Sequence, residues 1–295
     1  MKDPETGRLP HWLKLKSRLD QDDTYQNVRR IVKEYNLNTI CISGNCPNIG
    51  ECWSAGTATF MILGNICTRA CKFCGVATGR PLPPDPGEPA RIAESVKNMG
   101  IKHAVITSVD RDDLPDRGAG FWVQTINTVR EVNPMVTLET LIPDFDGKPE
   151  LINLVIEAAP DVISHNLETV RRLTSRIRTK ARYDTSLSVI SQIAASGLVS
   201  KSGIMLGLGE TEEEVVETMD DLLEAGCQVM TIGQYLQPTR EHLAVHEWVT
   251  PEQYQKYEET GLAKGFCFVE SHPLVRSSYH AEKHIHIKDA ATDNI

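Results

Sequence analysis

Cys67, Cys71 and Cys74 stand with three residues and then two between them, and Cys41, Cys46 and Cys52 with four and then five. Close thiolates of this kind are metal ligands. A triple can wrap one face of a cubane, holding three irons by sulfur and leaving the fourth open to a small molecule. An open position implies chemistry, whereas structural zinc wants four closed ligands, so zinc or a disulfide fits the first triple poorly. Taken alone, the second triple leaves open a zinc knuckle with a distant fourth ligand. Its Gly44, Pro47 and Gly50 let the backbone curl around a large object. Two triples, each one ligand short of a closed site, point to two clusters in one chain. Cys227 and Cys267 stand alone in apolar, strand-like surroundings and read as core.

The chain that must position these groups has 295 residues, 40% hydrophobic and 24% charged, with a formal net charge of −9. That composition excludes disordered and collagenous classes. The acidic balance argues against a protein that binds nucleic-acid backbone, whose footprint would be a basic stripe. No apolar run reaches the ~20 residues of a membrane span, and no signal-peptide core opens the chain. A cytoplasmic protein is expected, where thiols stay reduced. Lys2, Arg8, Lys14, Lys16 and Arg18 make the N-terminus locally basic; it reads either as a solvated arm or as a dock for an acidic carrier domain.

From residue 59 a strand-like run alternates with an amphipathic stretch about every thirty residues, the rhythm of βα units on a parallel sheet. Strands are expected near Thr59–Leu63, His103–Thr107, Val136–Leu141, Asp161–His165, Ser202–Leu206 and Val229–Tyr235, with a seventh near Phe266–Glu270. Helices are expected near 89–99, 119–131, 149–158, 168–177, 184–196, 212–225 and 251–264. Thr211-x-x-Glu214 is a capping box, and Thr250-Pro251 marks a second helix start. Six units are too few for a closed eight-stranded barrel, leaving an incomplete barrel or an open sheet. Either way the chemistry sits at the C-terminal strand ends, where the Cys67 triple follows the first strand. Residues 1–58 and 272–295 read as extensions on one domain whose barrel spans 59–271.

The segment Cys67-Thr-Arg-Ala-Cys71-Lys-Phe-Cys74 resembles the signature of radical S-adenosylmethionine enzymes. Together with the Cys41/Cys46/Cys52 triple and Arg276-Ser277-Ser278-Tyr279, it makes the chain similar to the lipoyl synthase family from about Pro10 to Ala281. Matching segments also run over 107–114, 165–169 and 233–239. The resemblance implies an α/β partial TIM barrel, (β/α)6, with N- and C-terminal extensions capping its open end. It implies two [4Fe-4S] clusters: one binds S-adenosylmethionine, and an auxiliary one is the sulfur source. The reaction inserts two sulfurs at carbons 6 and 8 of a protein-bound octanoyl group, consuming two S-adenosylmethionine molecules per product. Such methylene hydrogens have no useful acidity, so a radical must replace an acid–base pair. The implied partners are an octanoylated lipoyl domain or glycine-cleavage carrier protein, a low-potential electron donor of ferredoxin or flavodoxin type, and an iron–sulfur carrier that rebuilds the spent cluster.

By the same resemblance, Ser278 is the fourth ligand of the auxiliary cluster, a hard oxygen among soft thiolates that is easily displaced, and Arg276 holds the tail by a charge-assisted bond or a surface ion pair. Thr107, Ser108, Asn166, Glu168 and Arg178 fall at strand ends as S-adenosylmethionine contacts; helix capping by Ser108 or Asn166 and solvation of Glu168 remain the bland alternatives. Gly207-Leu208-Gly209-Glu210 reads as a close-approach turn near the adenosine, or as a simple tight turn. The acidic loop Asp110–Asp113 reads as solvated surface. His280, His284 and His286 read as a solvated tail. Arg117 and His272 stand where the family usually has glycine, which affects local loop shape.

Overall fold

The computed structural model describes residues 10–13 and 23–284, with the His284 side chain outside the description. Lys2, Arg8, Lys14, Lys16, Arg18 and His286 lie outside the described residues. Two compact units are formed, one from Lys16–Ala70 and Gly75–Ile163, the other from Met1–Leu15, Cys71–Cys74 and Ser164–Ile295.

In the first unit α1 (Asp23–Glu34), α2 (Ile40–Ser43) and α3 (Ile49–Ser54) precede β1 (Thr59–Ile62). These three helices were not legible in the sequence, where the segment before residue 59 lacks the βα rhythm. Then follow β2 (Ile66–Cys67), β3 (Ala77–Thr78), α4 (Glu88–Met99), β4 (His103–Ser108), α5 (Ala119–Val132), β5 (Thr137–Leu141) and α6 (Pro149–Glu157). β1 pairs parallel with β4, and β4 with β5, while β2 and β3 form a small parallel pair of their own. β1 is buried throughout and β4 over all but its last residue, the pattern of strands covered on both faces. Helix α5 lays Trp122, Ile126 and Val129 against the core at helical spacing.

β6 (Val162–Ser164) leads into α7 (Arg171–Ile177), α8 (Tyr183–Ala195), β7 (Val199–Leu206), α9 (Glu212–Glu224), β8 (Val229–Gln234), α10 (Pro251–Lys264) and β9 (Phe268–Ser271). β7 pairs parallel with β8 and β8 with β9, so the seventh strand expected from the sequence is present. The main sheet has seven strands, ordered β1-β4-β5-β6-β7-β8-β9. Such βα alternation puts every strand's C-terminal end on one side, the side for chemistry. The Thr211–Glu214 capping box closes at both bonds, and Thr250 caps α10 by accepting from the Gln253 N–H. Val215, Met219 and Leu222 of α9 are core. Helix α7 begins three residues later than the periodicity suggests. Glu168 takes a left-handed φ of 69° and its backbone bridges to Ile204, which delays the first helical turn.

One correction concerns exposure. Cys227 is buried, and burial pushes its thiol up to about 12, whereas Cys267 is exposed and is not core. Among the described residues no helix is long and apolar enough to cross a membrane.

Candidate functional site

Cys67 closes β2, and the loop after β4 folds back onto it. The Thr68 N–H and hydroxyl both donate to the Asp110 carbonyl, at 3.1 and 2.9 Å, and the Asp112 N–H donates to Thr68 Oγ1 at 3.1 Å. Two backbone N–H groups, of Asp110 and Arg69, point at Cys67 Sγ from 3.3 and 3.4 Å. The Arg69 side chain is 4% exposed and makes paired bonds to Asp112 (2.8 and 2.9 Å) and to Asp144 (2.8 and 2.9 Å), with Asp110 at 3.3 Å. Burial alone would pull its pKa down; the Asp112 and Asp144 carboxylates more than reverse this. The loop is therefore not the solvated surface its composition suggests. Asp110 and Asp112 are drawn inward by one buried guanidinium, and the Arg111 side chain, 1% exposed, pairs with Asp113 and reaches the Leu63 carbonyl. An acid-rich loop and a lone arginine inside a cysteine motif were the available signal.

In the other unit, Cys74 bonds back from its N–H to the Cys71 carbonyl at 3.1 Å. His242 Nε2 lies 3.0 Å from the Cys74 carbonyl and Nδ1 2.8 Å from Thr239 Oγ1, which fits an Nε2–H tautomer. The Lys72 N–H donates to Ile177 and its carbonyl accepts from Leu243. Nothing in the sequence singled out His242, because it reaches the motif from 168 residues away.

Cys41 lies in α2, whose cap Thr39 accepts from the Ile42 N–H, and Cys52 lies in α3. The Cys46 N–H donates to the Cys41 carbonyl at 3.0 Å across a turn in which Asn45 takes φ 50°. Burial pushes the Cys41 thiol up, and Cys46 is near enough to add to the rise. None of the eight cysteines is joined in a disulfide.

At the C-terminal ends of β7 and β8 the structure gathers Asn166, Glu168, Arg178 and the terminal segment. Arg178 Nη1 donates to the carbonyls of Asn166 and Leu167 and to Ser186 Oγ, which also meets His165 Nε2 at 2.9 Å. Burial holds the Glu168 carboxyl above its usual range, against the pull of Arg178 and of the bond from Asn166 Nδ2. Neither bland alternative holds here: Asn166 caps no helix and Glu168 is no freely solvated charge. The terminal segment is laid in by Gly233, where any Cβ would sit 2.1 Å from the Val275 carbonyl oxygen. Its Arg276 Nη1 donates to that same oxygen, and Ser277 Oγ accepts from Asn166 Nδ2 at 2.6 Å. Ser278 follows directly, half-buried. Gly207 sits in a left-handed turn, φ 88°, against Gln234 and the Glu247 carbonyl, so its close approach is to the chain itself. In the first unit Thr107 donates to the Leu141 carbonyl at 3.2 Å and Ser108 ends β4. His280 lies tilted against the Tyr279 ring and faces the exposed Glu282 at 3.4 Å, with about a third of its side chain open to solvent.

Arg117 takes φ 55°, a conformation that favours glycine, and holds it by bonding to Asp146 at 2.6 Å and to the Leu114 carbonyl. At the other departure, His272 Nδ1 accepts from the Leu274 N–H, and its N–H joins the Ile232 carbonyl.

The chain resembles the Radical SAM superfamily over residues 61–222. It is 60% identical over 278 residues to a lipoyl synthase of Parabacteroides distasonis, covering 94% of this chain and 98% of that one. It is 61% identical over 278 residues to one of Treponema denticola, covering 94% and 95%. The chain belongs to the lipoyl synthase family. Lipoyl synthases are radical S-adenosylmethionine sulfurtransferases that insert two sulfur atoms into a protein-bound octanoyl group, at carbons 6 and 8. Solved structures similar to this lipoyl synthase include Streptococcus suis SuiB bound to S-adenosylmethionine, with TM-score 0.55 and 12% identity over 74% of this chain and 50% of that one. The hydrogenase maturase HydG matches with TM-score 0.54 and 15% identity over 84% and 55%. The chain thus spans about half the length of these structures, and the likeness is one of fold.

Proposed function

We propose that Cys67, Cys71 and Cys74 each hold one iron of a [4Fe-4S] cluster that binds S-adenosylmethionine, and that Cys41, Cys46, Cys52 and Ser278 hold a second cluster consumed as the sulfur donor. The donor chemistry fits. Six cysteines outside any disulfide lie in two short stretches of chain, and amide N–H groups already face one of the sulfurs, as cluster sulfurs require. Among the described residues no three His, Cys, Asp or Glu side chains close on a single ion; a cubane, with one thiolate per iron, asks for no such convergence.

The observation that carries the S-adenosylmethionine assignment is a set of orphaned polar atoms. Asn166 Oδ1 and Arg178 Nε, both in the unit that carries the terminal segment, are buried without a hydrogen-bond partner. Leaving a buried polar atom unmatched costs about 1–3 kcal/mol, and native proteins keep few of them. An amino-acid and ribose ligand offers the donors and acceptors they lack. Asn166 and Glu168 suit an ammonium or hydroxyls, Arg178 a carboxylate, and Arg276 braces the turn that presents Ser278. When bound, the first cluster supplies the electron that cleaves S-adenosylmethionine to a 5′-deoxyadenosyl radical. No side chain acts as acid or base on the acyl chain; the protein's part is to bind, orient and exclude water.

The substrate is an octanoylated lipoyl domain or glycine-cleavage carrier protein. A ferredoxin- or flavodoxin-type donor supplies low-potential electrons, and an iron–sulfur carrier restores the spent cluster. Eight cysteines with no disulfide among them support work in the reducing cytoplasm.

Anaerobically reconstituted protein should carry about eight irons and eight sulfides per chain. Given an octanoylated lipoyl domain, reductant and S-adenosylmethionine, it should add two sulfurs, read by mass spectrometry, and release 5′-deoxyadenosine. Zinc without sulfide, or no sulfur gain, overturns the reading.

A further inference from the structure

Arg69 is a buried charge inside the cysteine motif, and its side-chain bonds reach two separate segments. It sits two residues after Cys67. Its guanidinium takes Asp112 and Asp110 from the loop after β4, and Asp144 from the turn after β5, with Asp146 at 3.5 Å. The Asp144 side chain is 3% exposed, so its pair with Arg69 is buried, while Asp110 and Asp112 are partly open. Paired guanidinium–carboxylate bonds fix orientation as well as distance, and two such pairs on one arginine leave it little freedom. The consequence lies at the sulfur. Pulling Asp110 and Asp112 inward sets the loop so that the Asp110 N–H faces Cys67 Sγ at 3.3 Å, while the Arg69 backbone N–H faces it at 3.4 Å. The Thr68–Asp110 and Asp112–Thr68 bonds hold the same register.

We propose that Arg69 is a positioning residue for the Cys67 sulfur: its aspartate clamp holds two amide N–H groups on that atom, and so sets how firmly the S-adenosylmethionine-binding cluster is retained and at what potential it is reduced. The inference rests on Cys67 being a ligand of that cluster. Amide N–H bonds stabilise the more negative, reduced cluster, so losing them lowers the potential. Outer-shell partners of metal ligands are typically worth ten- to a hundredfold in metal retention.

Arg69→Lys keeps the charge but cannot make two paired contacts. In reconstituted full-length protein, a chelator should strip iron from the S-adenosylmethionine-responsive cluster about tenfold faster or more. Its potential should move negative, followed by the electron paramagnetic resonance signal of the reduced cluster. Loss from the second cluster should be unchanged, which a general loosening of the fold would not allow. If Arg69→Lys fails to fold, Asp112→Asn, which leaves the Asp144 pair, should shift both readouts in the same directions by less. A folded Arg69→Lys with unaltered retention and potential overturns the inference, as does an Asp112→Asn chain unaltered in both when Arg69→Lys does not fold. Cys67→Ala separates the two claims. If it leaves the responsive cluster intact, the ligand assignment fails; if it abolishes that cluster while the clamp variants change nothing, only the role of Arg69 fails.

Discussion

Asn166 donates through Nδ2 to Ser277 Oγ at 2.6 Å, joining the strand-end cluster to the residue before Ser278. The same nitrogen reaches Glu168 at 3.1 Å. The turn before Ser278 is thereby tied to the side chains assigned to S-adenosylmethionine. Ser277→Ala should cost about 0.5–1.5 kcal/mol in urea denaturation, the worth of one net hydrogen bond. It should also raise hydrogen exchange over 276–280. Unchanged exchange there would show that the bond does not hold the segment.

Ser278→Cys replaces a hard oxygen with a soft thiolate. Iron and sulfide should remain at about eight each per chain, while sulfur insertion falls at least tenfold, because a thiolate releases iron less readily than an alkoxide. Full turnover with both clusters bound would remove Ser278 from the ligand set.

Glu168 holds its proton more tightly in the folded chain than in the unfolded one, since burial raises its pKa from an ordinary 4.5. Stability therefore falls as pH rises from 4.5 to the folded value, and stays lower above it. Glu168→Gln should match the parent below pH 4.5 and be more stable at neutral pH, the difference opening by at most ~1.4 kcal/mol per pH unit. Its S-adenosylmethionine affinity should fall. Parallel stability profiles from pH 4 to 8 would contradict the burial argument.

Arg117 combines a left-handed backbone with an ion pair to Asp146. Arg117→Gly relieves the backbone while losing the pair; Arg117→Ala loses the pair and keeps the strain, about 1–2 kcal/mol. The glycine variant should unfold at higher urea than the alanine variant, by about 1 kcal/mol in stability. The reverse order would mean that the loop relaxes to a right-handed turn.

Local periodicity is why so much of the barrel could be read in advance. β4 and α5 follow from Ala104, Ile106, Trp122, Ile126 and Val129, whose spacing alone dictates which face is buried. Caps such as Thr211 need only neighbours three residues away. The cysteine spacings likewise are short-range facts, and with the terminal Arg-Ser-Ser-Tyr segment they carry the family resemblance that implies the chemistry.

Long-range charge pairing is another matter. Asp110 and Asp112 look like solvent-facing acids until Arg69, more than forty residues earlier, is brought onto them. His242 and Ser277 acquire roles only through Cys74 and Asn166, 168 and 111 residues away. The sequence by itself determined the order of the main-sheet strands and their helices and the two sets of thiols, because spacing within a few residues encodes them, and the motifs built on those thiols carried the resemblance that implied the reaction class. Which amide faces the Cys67 sulfur, which polar atoms are left wanting a ligand, and what holds the turn before Ser278 were decided only by tertiary structure. Burial and hydrogen-bond partnership belong to atoms that meet in space, and no local pattern records them.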